Sequence, residues 1–95
     1  MENSEEIKQF IKEHSALFWY IPEEKKENIS NELIIESVLN YGQLDDIKKL
    51  FKLIDINTVS LIFNNLKERQ KMNYYPEIYN YFKLYFNKYA QKHTK

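Results

Sequence analysis

The sequence predicts an all-α fold, a small five-helix bundle that forms a single domain over residues 1–95. One glycine and two prolines leave little of the turn chemistry that β-hairpins require. Apolar residues recur three and four positions apart along most of the chain, which is the spacing of a helix with one buried face. An aromatic content of 16% supplies enough apolar bulk for one core in a chain of this length.

The first predicted helix begins close to the N-terminus. Asn3 and Glu6 have the spacing of a capping box, and apolar positions then follow at helical intervals from residue 7 to residue 14. The apolar segment 17–21 is too short for a helix of its own, so we expect it to plug the core with Trp19 buried. The charged segment 23–28 is expected to form a solvated loop or one helical turn.

The second predicted helix follows Ser30 or Asn31, either of which can cap it. Gly42 is expected to end this helix in the left-handed conformation that glycine adopts without strain. The buried stripe of the helix is predicted to comprise Leu33, Ile34, Ile35, Val38, Leu39 and Tyr41.

The third and fourth predicted helices are joined by a short connection. Asp45 and Asp46 lie in the first turn of the third helix, where the helix dipole favours acidic side chains. Asp55 or Asn57 is expected to cap the fourth helix. The inward-facing residues are predicted to be Leu44, Ile47, Leu50, Phe51 and Ile54 in the third helix, and Val59, Ile62, Phe63 and Leu66 in the fourth.

The fifth predicted helix has Pro76 in its first turn and runs to about Gln91. Its aromatic stripe covers an arc of roughly 160°, whereas a core-facing stripe needs only about 100°. Half-exposed packing within a monomer is one explanation of the extra width. The other is a partner-binding surface, because tyrosine and phenylalanine are favoured at interface centres. The residues assigned to that surface are Tyr79, Tyr81, Leu84 and Phe86.

Charge is divided unequally along the chain, although the formal net charge is zero. Residues 1–47 carry eleven acids and four lysines, and residues 48–95 carry ten bases and three acids. The two halves therefore either attract each other or present opposite charges to different partners. In a two-fold homodimer, each acidic half could face the basic half of the other copy.

Catalytic, cofactor-binding and metal-binding sites are not expected. His14 and His93 have no spacing that suggests pairing, and one glycine cannot form a phosphate-binding loop. The absence of cysteine excludes disulfides and thiolate metal sites. The N-terminus is acidic where a secretory signal would be basic, and no apolar run reaches the length of a membrane span. We therefore expect a cytoplasmic protein that is not an enzyme and does not enter a membrane.

Residues 44–69 also suggest a helix-turn-helix that could bind DNA. In this interpretation the lysines of the third predicted helix contact phosphates. The side chains that face bases or backbone are Ser60, Asn64, Asn65 and Lys67. The register fits poorly, because Phe51 would take the place of a small residue and Leu61 would have to be buried. The predicted contacts to nucleic acid or another anionic partner are Lys48, Lys49, Lys52, Asn64 and Lys67.

Four segments carry a family resemblance: Leu-Phe-Trp at 17–19, Ile-Ile-Glu-Ser-Val-Leu-Asn-Tyr-Gly at 34–42, Leu-Phe at 50–51 and Tyr-Phe at 85–86. In their order and spacing they resemble a small uncharacterised bacterial family that is often encoded beside nucleotidyltransferase toxins of the abortive-infection type. The chain departs from that family at Tyr20, where an acid is usual, at Ser37, where arginine is usual, and at Ile54-Asp55, where Tyr-Gly is usual.

The resemblance implies an antitoxin-like interaction role and no catalytic residues. We therefore expect a protein-binding module that acts as an antitoxin-like or regulatory partner of another protein, such as a toxin. The alternatives are a DNA-binding transcriptional regulator and a phage- or plasmid-borne inhibitor of a host enzyme.

Overall fold

The computed structural model describes residues 4–90, and within that range 77% of the residues are helical and none forms a strand. The all-α prediction is confirmed. The five predicted helices correspond to the five longest α-helices, but a one-turn helix and two 3-10 helices add to them. The α-helices are α1 (Glu5–Glu13), α2 (Asn31–Tyr41), α3 (Leu44–Leu53), α4 (Ile56–Asn64), α5 (Glu68–Lys71) and α6 (Pro76–Tyr89), and the 3-10 helices are Ser15–Phe18 and Glu23–Asn28.

Side-chain caps start three of the α-helices. Ser30, rather than Asn31, caps α2, and Asp55, rather than Asn57, caps α4. The predicted capping box of α1 includes Asn3, which lies outside the described residues. Ser4 caps this helix by accepting a hydrogen bond of 3.2 Å from the Ile7 amide. These caps satisfy backbone amides that have no partner within the helix.

Helix α2 lies at the centre of the fold. It packs against the first 3-10 helix, α3 and α4, so it is covered on more than one side. Its four buried aliphatic side chains and the hydroxyl-bearing Ser37 are all at most 2% exposed. The remaining core comes from α4 and α6, which pack on each other, from α1 and the first 3-10 helix, from Leu50 of α3, and from residues of the connecting segments. The buried aliphatic residues of α2 are Ile34, Ile35, Val38 and Leu39.

Two side chains predicted to face inward are exposed, and five others are only partly buried: Leu33, Tyr41, Ile47, Phe51 and Ile62. Trp19 is 66% exposed, whereas Phe18 and Ile21 are the residues of this segment that enter the core. Leu44 is exposed at the first position of α3, before the helix turns its apolar face to α2. Phe51 is only partly buried and rests against Phe86 at the edge of the core. The buried positions of Phe63 and Leu66 are confirmed.

Gly42 ends α2, but not in the predicted left-handed conformation. Its φ of −82° and ψ of 164° are extended backbone that other residues adopt. Glycine is needed for space instead, since a Cβ here would lie 2.7 Å from the Val38 carbonyl oxygen and 3.1 Å from Asp46 Cβ. Asp46 accepts a hydrogen bond from the Gln43 amide at 2.8 Å, and its other oxygen lies 3.3 Å from His14 Nε2. This corner joins α1, α2 and α3.

Replacement of Phe63 by alanine should lower the free energy of unfolding by about 3–5 kcal/mol, because it leaves a cavity in the core. The Phe63 ring lies 5.0 Å from the Tyr79 ring and 5.2 Å from the Phe86 ring, measured between centroids. Leu61→Ala on the same helix is the matched control, because Leu61 is 62% exposed. Its effect should stay within about 0.5 kcal/mol. Urea denaturation followed by circular dichroism measures both, and equal losses would contradict this placement of α4.

Candidate functional site

Four aromatic rings form a continuous surface, which we call the Trp19 cluster: Trp19, Tyr20, Tyr41 and Tyr75. The Trp19 ring lies 5.3 Å from Tyr20 and 6.1 Å from Tyr41, and Tyr41 lies 5.8 Å from Tyr75, all edge to face. Trp19 is 66% exposed and Tyr75 is 50% exposed. Exposed apolar groups are normal singly, whereas large contiguous exposed apolar surfaces are typical of interaction sites.

Local structure fixes the orientation of each ring in the cluster. The buried Phe18 anchors the first 3-10 helix, and Trp19 follows it in a right-handed helical conformation that turns the indole outward. Tyr41 is the last residue of α2. Tyr75 is extended because Pro76 follows it at the first position of α6. Three segments that are distant in sequence therefore meet at this surface.

A polar network beside the rings joins these segments. The Tyr20 hydroxyl lies 2.6 Å from the Ser37 hydroxyl on α2. The Asn40 side chain donates to the Asn73 carbonyl at 3.0 Å and accepts from the Tyr75 amide at 3.2 Å. Asn40 thus clamps the segment before α6 onto α2. Hydrogen bonds therefore hold the Tyr20 side chain and the backbone that carries Tyr75.

Glu36 adjoins the cluster on the same helix face. Its carboxylate accepts two long hydrogen bonds, 3.4 Å from the Tyr20 hydroxyl and 3.5 Å from the Asn73 amide. No basic side chain among residues 4–90 lies within ion-pair distance of it. Partial burial raises the pKa of Glu36 above its ordinary value. Burial, followed by the charge of Glu36, likewise raises the pKa of Tyr20.

A buried hydroxyl belongs to the residue that follows Asn73. Tyr74 is 4% exposed, and within residues 4–90 its hydroxyl oxygen has no hydrogen-bond partner. Burial raises the pKa of Tyr74, and the charge of Glu36 raises it further. The rings of Phe63 and Tyr79 pack against Tyr74. The site therefore combines aromatic surface, an incompletely paired carboxylate and a buried phenol.

The surface predicted on α6 is divided by the fold. Phe86 is fully buried, and Tyr79 is partly buried against Phe63, because these two residues face α4. They are therefore packing residues and cannot form the centre of an interface. Tyr81 and Leu84 do reach the surface, with exposures of 59% and 70%.

The four lysines and Asn64 that are predicted to contact nucleic acid are all exposed, but two of the lysines lie near acidic side chains. Lys49 and Lys52 line a groove of about 540 Å³ opposite Glu5, Glu6 and Glu13 of α1. The potential there is therefore partly neutralised, which weakens attraction to phosphates.

The α4 part of the predicted DNA interface is constrained by packing. Ser60 is fully buried, so it cannot contact bases, and Asn64 donates to its hydroxyl at 3.3 Å. Helix α4 packs mainly on α2 and α6, whereas α3 packs on α2. This differs from the tightly packed helix pair that a helix-turn-helix requires.

Both ring nitrogens of His14 have partners in the structure, and His93 lies outside the described residues. His14 Nδ1 lies 2.9 Å from the Phe10 carbonyl oxygen, and Nε2 faces Asp46. Within residues 4–90, no three metal-ligating side chains are grouped so as to hold an ion. In the same range no helix has the length and apolar character needed to cross a bilayer.

The Trp19 cluster could not be predicted from helical periodicity. Helical periodicity assigns a buried face only inside helices, and Trp19, Tyr20 and Tyr75 lie just outside them. Tyr41 was assigned to the buried stripe of α2, and it is partly buried at the end of that helix. The aromatic pair at 19–20 and the Tyr-Pro step at 75–76 were the available signals, but their proximity depends on the tertiary fold.

Comparison of the chain with protein-family models, curated proteins and solved structures finds no match. The resemblance to proteins encoded beside nucleotidyltransferase toxins therefore stays a prediction.

The raised pKa of Glu36 predicts that Glu36→Gln changes the free energy of unfolding in a pH-dependent way. The folded state disfavours the ionised carboxylate, so the wild type loses stability as pH rises from about 4.5 through the higher folded pKa. Glutamine is uncharged at every pH, so it does not lose stability as the pH rises. The stability of Glu36→Gln minus that of the wild type should therefore increase between pH 4 and pH 7. Urea titrations at both values measure this difference.

The matched control for that measurement is Glu32→Gln, which removes an exposed carboxylate one turn earlier on α2. It corrects for the general effect of one fewer negative charge. A constant or decreasing difference for Glu36→Gln, after this correction, would contradict the partial burial of the carboxylate.

Proposed function

We propose that this chain is a cytoplasmic, non-enzymatic protein-binding module that acts as an antitoxin-like or regulatory partner of another protein. The observation that carries the proposal is the Trp19 cluster, a contiguous exposed aromatic surface. Tryptophan and tyrosine are the residue types most enriched among those that dominate interface energies.

The cluster is suited to binding because it is already ordered. Tyr20 is held by Ser37, and the backbone at Tyr75 is held by Asn40. Aromatic side chains have only two side-chain torsions, so little conformational entropy is lost when a partner fixes them. A rigid aromatic surface with a polar edge resembles the centre and rim of a protein interface.

The partner class follows from the resemblance and the surface together. A toxin is the partner that the resemblance implies, and inhibition of a host enzyme would use the same kind of surface. Tyr81 and Leu84 on α6 provide a second exposed apolar area. This second area is the candidate for homodimer formation.

DNA binding is the alternative, and the mixed charge of the groove between α1 and α3 argues against it. Three lysines of α3 remain exposed, but acids of α1 stand opposite two of them. A protein that binds DNA through several phosphate contacts has a strongly salt-dependent affinity. This property gives a direct test.

The double variant Trp19→Ser/Tyr75→Ser should lose the partner while remaining folded. Affinity purification from cells that encode the chain would identify the partner, and calorimetry with the recombinant partner would then measure Kd. We expect a loss of at least about thirtyfold, which corresponds to one interface hot spot of about 2 kcal/mol. The thermal midpoint should change little, because both side chains are largely exposed.

Tyr81→Ser/Leu84→Ser is the matched control, because it removes two exposed apolar side chains from a different surface. Its affinity for the partner should stay within about threefold of the wild type, or about 0.6 kcal/mol. A loss confined to this control would assign the interface to α6. The absence of any protein partner for the wild type would contradict the proposed function.

Duplex DNA should not bind at low salt, because two of the three lysines of α3 share their groove with acids. Electrophoretic mobility shifts and fluorescence anisotropy between 50 and 200 mM salt measure this. Binding that weakens steeply with salt would support the alternative instead. In that case the triple variant Lys48→Ala/Lys49→Ala/Lys52→Ala should reduce the salt slope by about 3 units.

A further inference from the structure

We propose that the Trp19 cluster binds an arginine side chain of the protein partner, with the guanidinium paired to the Glu36 carboxylate beside the aromatic rings. The inference rests on the proposed function and specifies what the partner must supply. It depends on the position of Glu36, on its incomplete hydrogen bonding and on the cost of covering it.

Glu36 is built into the edge of the cluster. Tyr20 links the two, since its hydroxyl donates to Glu36 at 3.4 Å and its ring lies 5.3 Å from the Trp19 ring. Asn73 also contacts Glu36, because its side-chain amide donates to the carboxylate. The backbone carbonyl of Asn73 accepts a hydrogen bond from the Asn40 side chain. A partner that packs on the Tyr20 side of the cluster therefore lies next to this carboxylate.

The carboxylate retains capacity for further hydrogen bonds. An ionised carboxylate has about four acceptor positions, and Glu36 uses two of them in long hydrogen bonds of 3.4 and 3.5 Å. Within residues 4–90 no lysine, arginine or histidine nitrogen lies within 4.0 Å of it. The nearest sequence neighbours add no positive charge, because α2 contains two acids and no base.

The cost of desolvation selects the chemistry of the partner. A purely apolar partner that covered the rings would remove the remaining water from Glu36 and leave its charge without a counterion. Such a buried unpaired charge strongly opposes binding, and an acidic partner would add repulsion. A partner that brings a cation to Glu36 avoids this penalty, because it supplies the missing counterion.

Arginine fits this surface better than lysine. Its guanidinium is planar, donates two parallel hydrogen bonds to one carboxylate and stacks on aromatic faces. Each oxygen of Glu36 has one long hydrogen bond and can accept another. The exposed surface of Trp19 and Tyr75 offers rings for the guanidinium or its aliphatic stem to contact. A lysine ammonium would pair with the charge but lacks the planar stacking surface.

A displayed library of random linear dodecapeptides tests the inference, with the immobilised full chain as the target. Selections run in parallel on the wild type, on Glu36→Gln and on Glu32→Gln. Glu32→Gln is the matched control, because Glu32 is an exposed carboxylate on the same helix. We expect arginine-centred peptides with apolar neighbours from the wild type and the control, and no enrichment of arginine from Glu36→Gln.

The strongest wild-type peptide is then synthesised in two forms, with arginine or with its uncharged isostere citrulline. We expect citrulline to weaken binding to the wild type by about tenfold or more, as loss of a charge-assisted, partly desolvated pair does. The same exchange should change affinity for Glu36→Gln by less than threefold. This comparison alters the ligand, so it holds even if Glu36→Gln changes the stability of the protein.

The outcomes separate this inference from the proposed function. Peptides that lack a cation, or that bind Glu36→Gln and the wild type equally, would overturn arginine recognition but leave the aromatic surface as a protein-binding site. No enrichment on the wild type above that on Trp19→Ser/Tyr75→Ser would overturn both. Lysine in place of arginine in the selected peptides, with equal affinity, would overturn the preference for a guanidinium.

Discussion

Burial of α2 on more than one side is the constraint on which the rest of the structure depends. Four of its aliphatic side chains and Ser37 are almost completely enclosed by the first 3-10 helix, α3 and α4. The close approach at Gly42 lets α3 fold back directly from its end. Because α2 is held in this way, its few residues near the surface are also held in place. Glu36, Asn40 and Tyr41 are among them, and they support the candidate site.

At the candidate site a partly buried carboxylate lies beside an exposed aromatic surface. Partial burial raises the pKa of Glu36, so its ionisation is less favourable than in the unfolded chain, and the two hydrogen bonds that favour the ionised form are long. The Tyr74 hydroxyl is buried without a partner in the described part of the chain. Uncompensated polar groups of this kind cluster at functional positions in folded proteins. A partner cation at Glu36 would relieve the first of these costs, which links the instability of the site to the affinity of the complex.

The unequal distribution of charge along the chain has a partial explanation in the fold. Acids of α1 and lysines of α3 line the same groove, so part of the attraction between the two halves of the sequence is intramolecular. The lysines at 49 and 52 are therefore a less effective binding surface than their number suggests. The acidic character of α2 remains, since that helix contains Glu32 and Glu36 and no base. This is the charge that the candidate site presents.

The sequence by itself determined the helices and most of the core, because capping residues and apolar periodicity act over three or four residues. Phe63 was correctly assigned for this reason, and Ser30 and Asp55 were each one of two predicted caps. The short helical turns, the outward position of Trp19 and the site itself were decided by the tertiary structure. Trp19 and Tyr75 are 56 positions apart in the sequence, and no local pattern shows that both rings contact Tyr41. These contacts follow from how the segments at 19–20 and 73–75 pack against α2, which depends on long-range shape complementarity.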